Sequence, residues 1–320
     1  MLSVKGVVFS DNERVVRTDV REKIKNLDKL PFIPLELFPY EQYSKGIPEM
    51  SAKPLMWLNT SRGCPWNCSF CSNIYVWGNE YRTMGAERVV REMIRLKKDF
   101  GINAIQFRED NFTVDRKRVL EICDLIVKND LKMEWMCESR VDTVDDSILA
   151  VMKKAGNTAI YFGVESGTQR VIDFLNKKIN LKQIETAVAL CKKHGIKSIV
   201  SVMLGIPGQT MEENAETLAF LKRIKPEIVY FNPFIGIPGS MLYNEIVKKD
   251  LIYKKCGDLI LANSECMTWK EKVRLKQRYE VSYNLAPDIL INHIVRIGWI
   301  RFFEKVIITL KRYFCLNKSA

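Results

Sequence analysis

No part of this 320-residue chain stays apolar for long. The most hydrophobic late run, ILINHIVRIGWI at 289–300, is interrupted by His293 and Arg296. It falls short of the roughly 18–20 clean apolar residues that a membrane-spanning helix needs. The opening MLSVKGVVFSDNERVV lacks a run long enough for a signal-peptide core. The nine cysteines are an odd number, few for the length and mostly isolated among apolar neighbours. That excludes a disulfide framework and suits a reducing compartment, so a cytoplasmic location is expected. Only one C-x2-C pair exists, Cys68 with Cys71, so the paired half-sites of a structural zinc knuckle are incomplete. No internal repeat and no low-complexity tract stands out. Acidic residues are outnumbered, 38 against 50 basic, for a net charge of +12. Half of that excess lies beyond residue 270, with ten Lys and Arg against four Asp and Glu. Such an excess suits an anionic partner: a membrane surface, nucleic acid or an acidic substrate.

What is present is a rhythm. Residues 1–50 are irregular, with a hairpin expected around Asp11-Asn12 and a Pro-rich extended arm at LDKLPFIPLELFPY (27–40). From residue 55, β-prone runs recur at 55–60, 103–107, 132–137, 158–164, 197–204 and 227–232. Helical periodicity fills the intervals at 86–99, 115–128, 145–155, 181–194 and 211–224. Gly101, Gly156, Gly195 and Pro226 stand where a helix hands over to a strand. Alternation of this kind implies an α/β fold with a parallel sheet. Six units are two short of a closed eight-stranded barrel, which leaves an open barrel or a doubly wound sheet. Either fold gathers functional residues at the C-terminal ends of its strands. The unusual residues fall there: the cysteines, "RED" at 108–110, "ESR" at 138–140, "ES" at 165–166 and "GIPG" at 205–208. After about residue 245 the rhythm stops, and 270–283 and 286–314 read as helix. The expected organisation is an arm (1–50), an α/β core (51–250) and a basic helical extension (251–320).

Cys64, Cys68 and Cys71 stand as C-x3-C-x2-C in the loop after the first strand. Three thiolates in a Gly/Pro/Asn-containing loop are not scattered core cysteines. A zinc site with a distant fourth ligand is one reading. An iron–sulfur cluster is another, since thiolates are its normal ligands and three would leave one iron open.

This motif, with aromatic Phe70 before its last cysteine, resembles the radical S-adenosylmethionine (radical SAM) enzymes. The likeness runs over about 55–245. It implies a partial (β/α)6 barrel, a [4Fe-4S] cluster on the three cysteines, and SAM chelating the open iron. One electron would then cleave SAM to a 5′-deoxyadenosyl radical that takes hydrogen from substrate. The electron would come from a donor such as flavodoxin or ferredoxin. On this resemblance Phe70 lies beside SAM, and Glu109 or Asp110 binds its methionyl ammonium, although the glycines of the family's GGE motif are absent. Ser139 or Arg140 meets its carboxylate or the substrate, and Glu165 accepts from the ribose hydroxyls. The backbone at Gly205 and Ile206 lies along the adenine. Helix capping by Asp110, Asn111 or Ser166, and a Thr210–Glu213 capping box, are the structural alternatives at these places.

The segments "FREDNF", "RVD", "FGVESG", "GIPGQT" and "GIPGSMLY" together resemble the radical SAM half of the cobalamin-binding subgroup, and 1–45 its connector. That subgroup's DxHxxG signature has no counterpart here, because His194 and His293 are the only histidines. Cobalamin is therefore not expected on this chain, and a separate cobalamin-binding subunit is an alternative source. The stretch RIGWIRFFEKVIITLKRYF (296–314) reads as a helix packed on the barrel, or as one lying on an anionic membrane. The latter would suit a lipid-like rather than a small polar substrate. Nucleic acid is the least favoured partner. The expected function is hydrogen abstraction from an unknown substrate. The alternatives are cobalamin-assisted methyl transfer and, in a different class, a non-catalytic zinc- or cluster-binding module.

Overall fold

The computed structural model describes residues 3–11 and 13–290. Six parallel strands form one sheet: β1 (Leu55–Leu58), β2 (Ala104–Phe107), β3 (Glu134–Ser139), β4 (Asn157–Glu165), β5 (Lys197–Leu204) and β6 (Ile228–Pro233). They pair in chain order, so β1 and β6 are the two edges and the barrel is open between them. The crossovers run through α1 (Ala86–Phe100), α2 (Arg116–Lys128), α3 (Asp146–Lys154), α4 (Leu181–Lys193) and α5 (Met211–Ile224). The open-barrel expectation holds.

Alternation along the strands divides the side chains. Ile105, Phe107, Trp135, Cys137, Ile160, Phe162, Val200 and Val202 point outward and form the main core with the helices. Leu55, Ala104, Met136, Ala159 and Ile199 point inward at one end of the barrel, where Met50 packs among them and Ile47 and Ala52 pack against the group. Glu134 fixes that plug by accepting the backbone N–H groups of Ser51 (3.1 Å) and Ala52 (2.6 Å).

The helix ends follow local rules. Asp115 and Asp145 cap α2 and α3, and Thr210 with Glu213 forms the expected box on α5. Gly101 ends α1 at φ 66°, a left-handed position that glycine takes without a Cβ penalty.

Two expectations change. The hairpin exists, Val8–Asp11 with Arg14–Arg17. The Pro-rich arm, however, is broken into short 3-10 turns at Leu27–Lys29, Leu35–Leu37 and Tyr40–Gln42. The carbonyls of Pro31 and Ile33 accept from Arg88 and Arg95 of α1, and Phe32 lies 3.8 Å beneath the Arg88 guanidinium. The extension also opens with strands, Ile252–Cys256 and Leu259–Ala262, paired with each other, the latter also with Ile235–Gly236. A turn at Gly257 (φ 60°) lets them fold back. Helix follows in α7 (Trp269–Asn284), after α6 (Met241–Lys248). The amphipathic stretch 296–314 and His293 lie outside the described residues. Among the described residues no helix is long and apolar enough to cross a membrane.

Candidate active site

The cysteine loop leaves β1 through a short antiparallel bridge, Ser61–Arg62 with Arg82–Thr83. Gly63 (φ 87°) is required there, because a Cβ would lie 2.2 Å from the Glu80 carbonyl oxygen. Ser69 then anchors the loop: its N–H donates to Leu175 O and its carbonyl accepts from Leu242 N, both at 3.0 Å. Asn176 Nδ2 donates to Asn67 O at 2.7 Å.

So held, Cys64, Cys68 and Cys71 line one cavity of about 210 Å³ with Trp66, Phe70, Asn73, Asp110, Glu138, Ser139, Arg140, Tyr161, Glu165 and Lys177. All three thiols are partly exposed to it. Burial pushes the Cys64 thiol up to about 11, with Asp110 and the other two cysteines adding to the effect. The Cys71 thiol is pushed up as well, first by burial, so a metal centre bound here would have to displace these protons. Among the described residues, no group of three or more His, Cys, Asp and Glu converges as a single metal ion would require. The donor set, three thiolates in one loop, fits a [4Fe-4S] cluster better than a lone zinc ion.

The two adjacent acids separate. Glu109 is buried outside the cavity lining, where it accepts from Thr60 N (2.8 Å) and Ser61 Oγ (2.6 Å) and lies 3.9 Å from Arg118. Asp110 faces the cavity, its carboxyl held above the usual range by burial and by neighbouring Glu109.

Glu165 ends β4 in the left-handed region (φ 70°), after a register shift in the β4–β5 pairing. That turns its carboxylate onto Lys177 Nζ at 3.0 Å, both side chains under a tenth exposed. Lys177 in turn stands 5.5 Å over the Phe70 ring. Ser139 is buried beside Cys137, with Sγ and Oγ 3.7 Å apart. Arg140 is already engaged: it makes two 2.9 Å bonds to Asp142, donates to Lys177 O and stacks on Trp66 at 4.3 Å.

Gly205 and Ile206 do not line this cavity. Their N–H groups donate to Gln209 Oε1, at 3.1 and 3.2 Å. A second cavity, of about 550 Å³, shares Phe70 and Glu165 with the first and continues along Met203, Phe234 and Trp269. Lys177, Asn73 and Tyr161 were not foreseen, and Glu138 stood in the strand-end segment ESR without a role of its own. Lys177 sits twelve residues after Glu165 in a polar stretch with no motif to mark it. Asn73 follows the last cysteine by two and reads as a loop residue. His194 is a helix-terminal residue, capping α4 and bonded to Asp146 at 2.8 Å.

The sequence profile of the radical SAM superfamily matches residues 58–221. The chain belongs to the radical SAM superfamily. Its matched region runs from the end of β1 through most of α5, so it contains the three cysteines, Asp110, Glu165 and Lys177. Radical SAM enzymes use a [4Fe-4S] cluster and SAM, and the non-catalytic zinc-module alternative falls away. An uncharacterized methyltransferase of Pyrococcus horikoshii is 30% identical over 91% of this chain and 63% of its own length. The anaerobic magnesium-protoporphyrin IX monomethyl ester cyclase of Rubrivivax gelatinosus is 28% identical over 77% of this chain and 44% of its own. The chain thus spans less than two thirds of either relative. Among solved structures, the cobalamin-dependent radical SAM enzyme OxsB, with aqua-cobalamin and SAM bound, superposes with a TM-score of 0.74 at 17% identity. The match covers 97% of this chain and 51% of OxsB. The methyltransferase TsrM of Kitasatospora setae, with tryptophan and a SAM analogue bound, gives a TM-score of 0.67 at 17% identity, over 86% of this chain and 56% of TsrM. These likenesses are of fold.

Proposed function

We propose that this radical SAM enzyme activates a small-molecule substrate by hydrogen abstraction. With cluster and SAM bound, one-electron cleavage of the sulfonium supplies a 5′-deoxyadenosyl radical as the abstracting species. The observation that carries the reading is the convergence of Cys64, Cys68 and Cys71 with Phe70, Asp110 and Glu165 on one cavity at the strand ends. The three thiolates would hold the cluster. Asp110 offers a carboxylate to the methionyl ammonium, and Glu165, oriented by Lys177, offers one to a ribose diol. Phe70 supplies an apolar face between the two cavities, and Ser139 a buried hydroxyl. Arg140 shapes the wall, its fork being held by Asp142. The loop and its anchors keep water and stray hydrogen donors away from the reacting atoms.

Anaerobically reconstituted protein should carry about four irons per chain and form 5′-deoxyadenosine under dithionite. Cys64→Ala, Cys68→Ala and Cys71→Ala should each lose both properties. An intact cluster in all three would defeat the reading.

Cobalamin-assisted methyl transfer is the second reading, with cobalamin held outside this stretch of chain. The extent of the likeness to OxsB, which takes in residues before the barrel, favours it. Transfer of isotopically labelled methyl from SAM to cob(I)alamin, generated from added hydroxocobalamin by two-electron reduction with titanium(III) citrate, with and without a separate corrinoid-binding chain, would test it.

A further inference from the structure

The inner face of the barrel carries polar and aromatic side chains that the cluster chemistry leaves unassigned. Trp57 of edge strand β1 donates its indole N–H to Gln106 Oε1 of β2 at 2.8 Å. Tyr230 of the other edge, β6, stacks on Tyr161 of β4 with ring centroids 6.0 Å apart. Its hydroxyl donates to Glu49, in the segment that plugs the barrel. Arg108, at the end of β2, reaches Glu138 of β3, Nη1 to Oε1, at 3.1 Å. Glu138 and Tyr161 also line the cavity of the three cysteines, so lumen and cavity are continuous.

In a closed barrel, inward side chains fill the core. Here Trp57 is 40% exposed and Tyr230 39% exposed, one on each edge of the gap. The Arg108 side chain is 60% exposed although it lies on the inward-facing side of its strand. A guanidinium carries five donors in a planar fork, and among the described residues Arg108 pairs with Glu138 alone. An exposed cation on the same inner face as Trp57, Tyr161 and Tyr230, in a lumen that meets the cysteine cavity at Glu138 and Tyr161, has the composition of a recognition site.

We propose that the lumen holds a flat, anionic substrate, with Arg108 anchoring its carboxylate or phosphate and Trp57, Tyr161 and Tyr230 contacting its planar part. The inference rests on reading the cysteine cavity as the reaction site. It speaks against a purely hydrocarbon substrate, for which an exposed Arg–Glu pair in the lumen would be an unpaid desolvation penalty.

The test uses the reconstituted full chain, with iron content and 5′-deoxyadenosine formation measured first, so that failure of the underlying reading shows itself separately. Anaerobic calorimetry then compares 2-naphthoate, 2-naphthyl phosphate and neutral 2-naphthamide. At least one acid should bind at least about tenfold more tightly than the amide, the difference expected of a charge-assisted hydrogen bond. The tighter of the two acids identifies the oxyanion. Arg108→Gln should bring both acids to the level of the amide. Arg108→Lys, which keeps the charge and loses the fork, should be intermediate for the acids and unchanged for the amide. Trp57→Leu should weaken all three probes together. Equal binding of acid and amide, no binding of any probe, or Arg108 variants that bind the acids as wild type does would each overturn the proposal.

Discussion

Replacing Lys177 by Met would leave Glu165 as a buried carboxylate with no counter-ion. The two side chains are 7% and 8% exposed, and the Nζ–Oε1 distance is 3.0 Å. Their fit is close: a Cβ on Gly163 would lie 2.4 Å from Glu165 Oε1 and 3.1 Å from Lys177 Nζ. Removing one partner of such a pair costs roughly 3–5 kcal/mol, mostly the penalty of the charge left behind. For a chain of this size that corresponds to a fall in Tm of about 4–7 °C. The assay is anaerobic urea or thermal unfolding of the apo-protein, with thiols kept reduced so that cluster loss does not enter. The decisive comparison is a double-mutant cycle with Glu165→Gln. The double variant has no uncompensated charge and should recover most of the loss, giving a coupling of about 2 kcal/mol or more. A cost below about 1 kcal/mol for Lys177→Met, or additive single effects, would refute the claim that the pair is buried and mutually dependent.

The acids at 109 and 110 should part company. Glu109→Gln should lower stability by about 1–3 kcal/mol through its buried bonds to Thr60 and Ser61. Asp110→Asn should leave unfolding within about 1 kcal/mol of wild type and weaken SAM binding measured by equilibrium dialysis. Lys272 lies fully buried in α7 with no hydrogen-bond partner on Nζ among the described residues, and burial brings its pKa down to about 7. The folded state therefore sheds this proton well before the unfolded chain does, and stability should rise with pH above 7, by about 2 kcal/mol up to pH 8.5. Lys272→Met should remove that rise. The comparison stops at pH 8.5 because Cys123 and Cys191, both pushed up to about 12 by burial, oppose it once unfolded thiols ionise. Parallel pH profiles for wild type and Lys272→Met would count against the assignment.

Much of the fold could be read from periodicity. The expected strand at 158–164 became Asn157–Glu165, and the expected helix at 211–224 became Met211–Ile224. Local chemistry also settled the Thr210–Glu213 box, because both partners lie within one turn. The 27–40 arm was harder, since its 3-10 turns are held by contacts to α1 across more than fifty residues of chain. The strands after residue 251 were missed because IYKKC and LILA are short and carry no clean alternation.

The sequence by itself determined that three thiols stand together after the first strand, and that functional residues gather where strands end. Both follow from spacing and from the period of the backbone. Only the tertiary structure showed that Asp110 lines the cysteine cavity while Glu109 is buried against Thr60 and Ser61, because adjacent residues at a strand end point opposite ways. It alone brought Lys177 to Glu165, and exposed Arg108, Trp57 and Tyr230 on the inner face of an open barrel. Those are contacts between distant elements, set by sheet curvature and register, and no local pattern carries them.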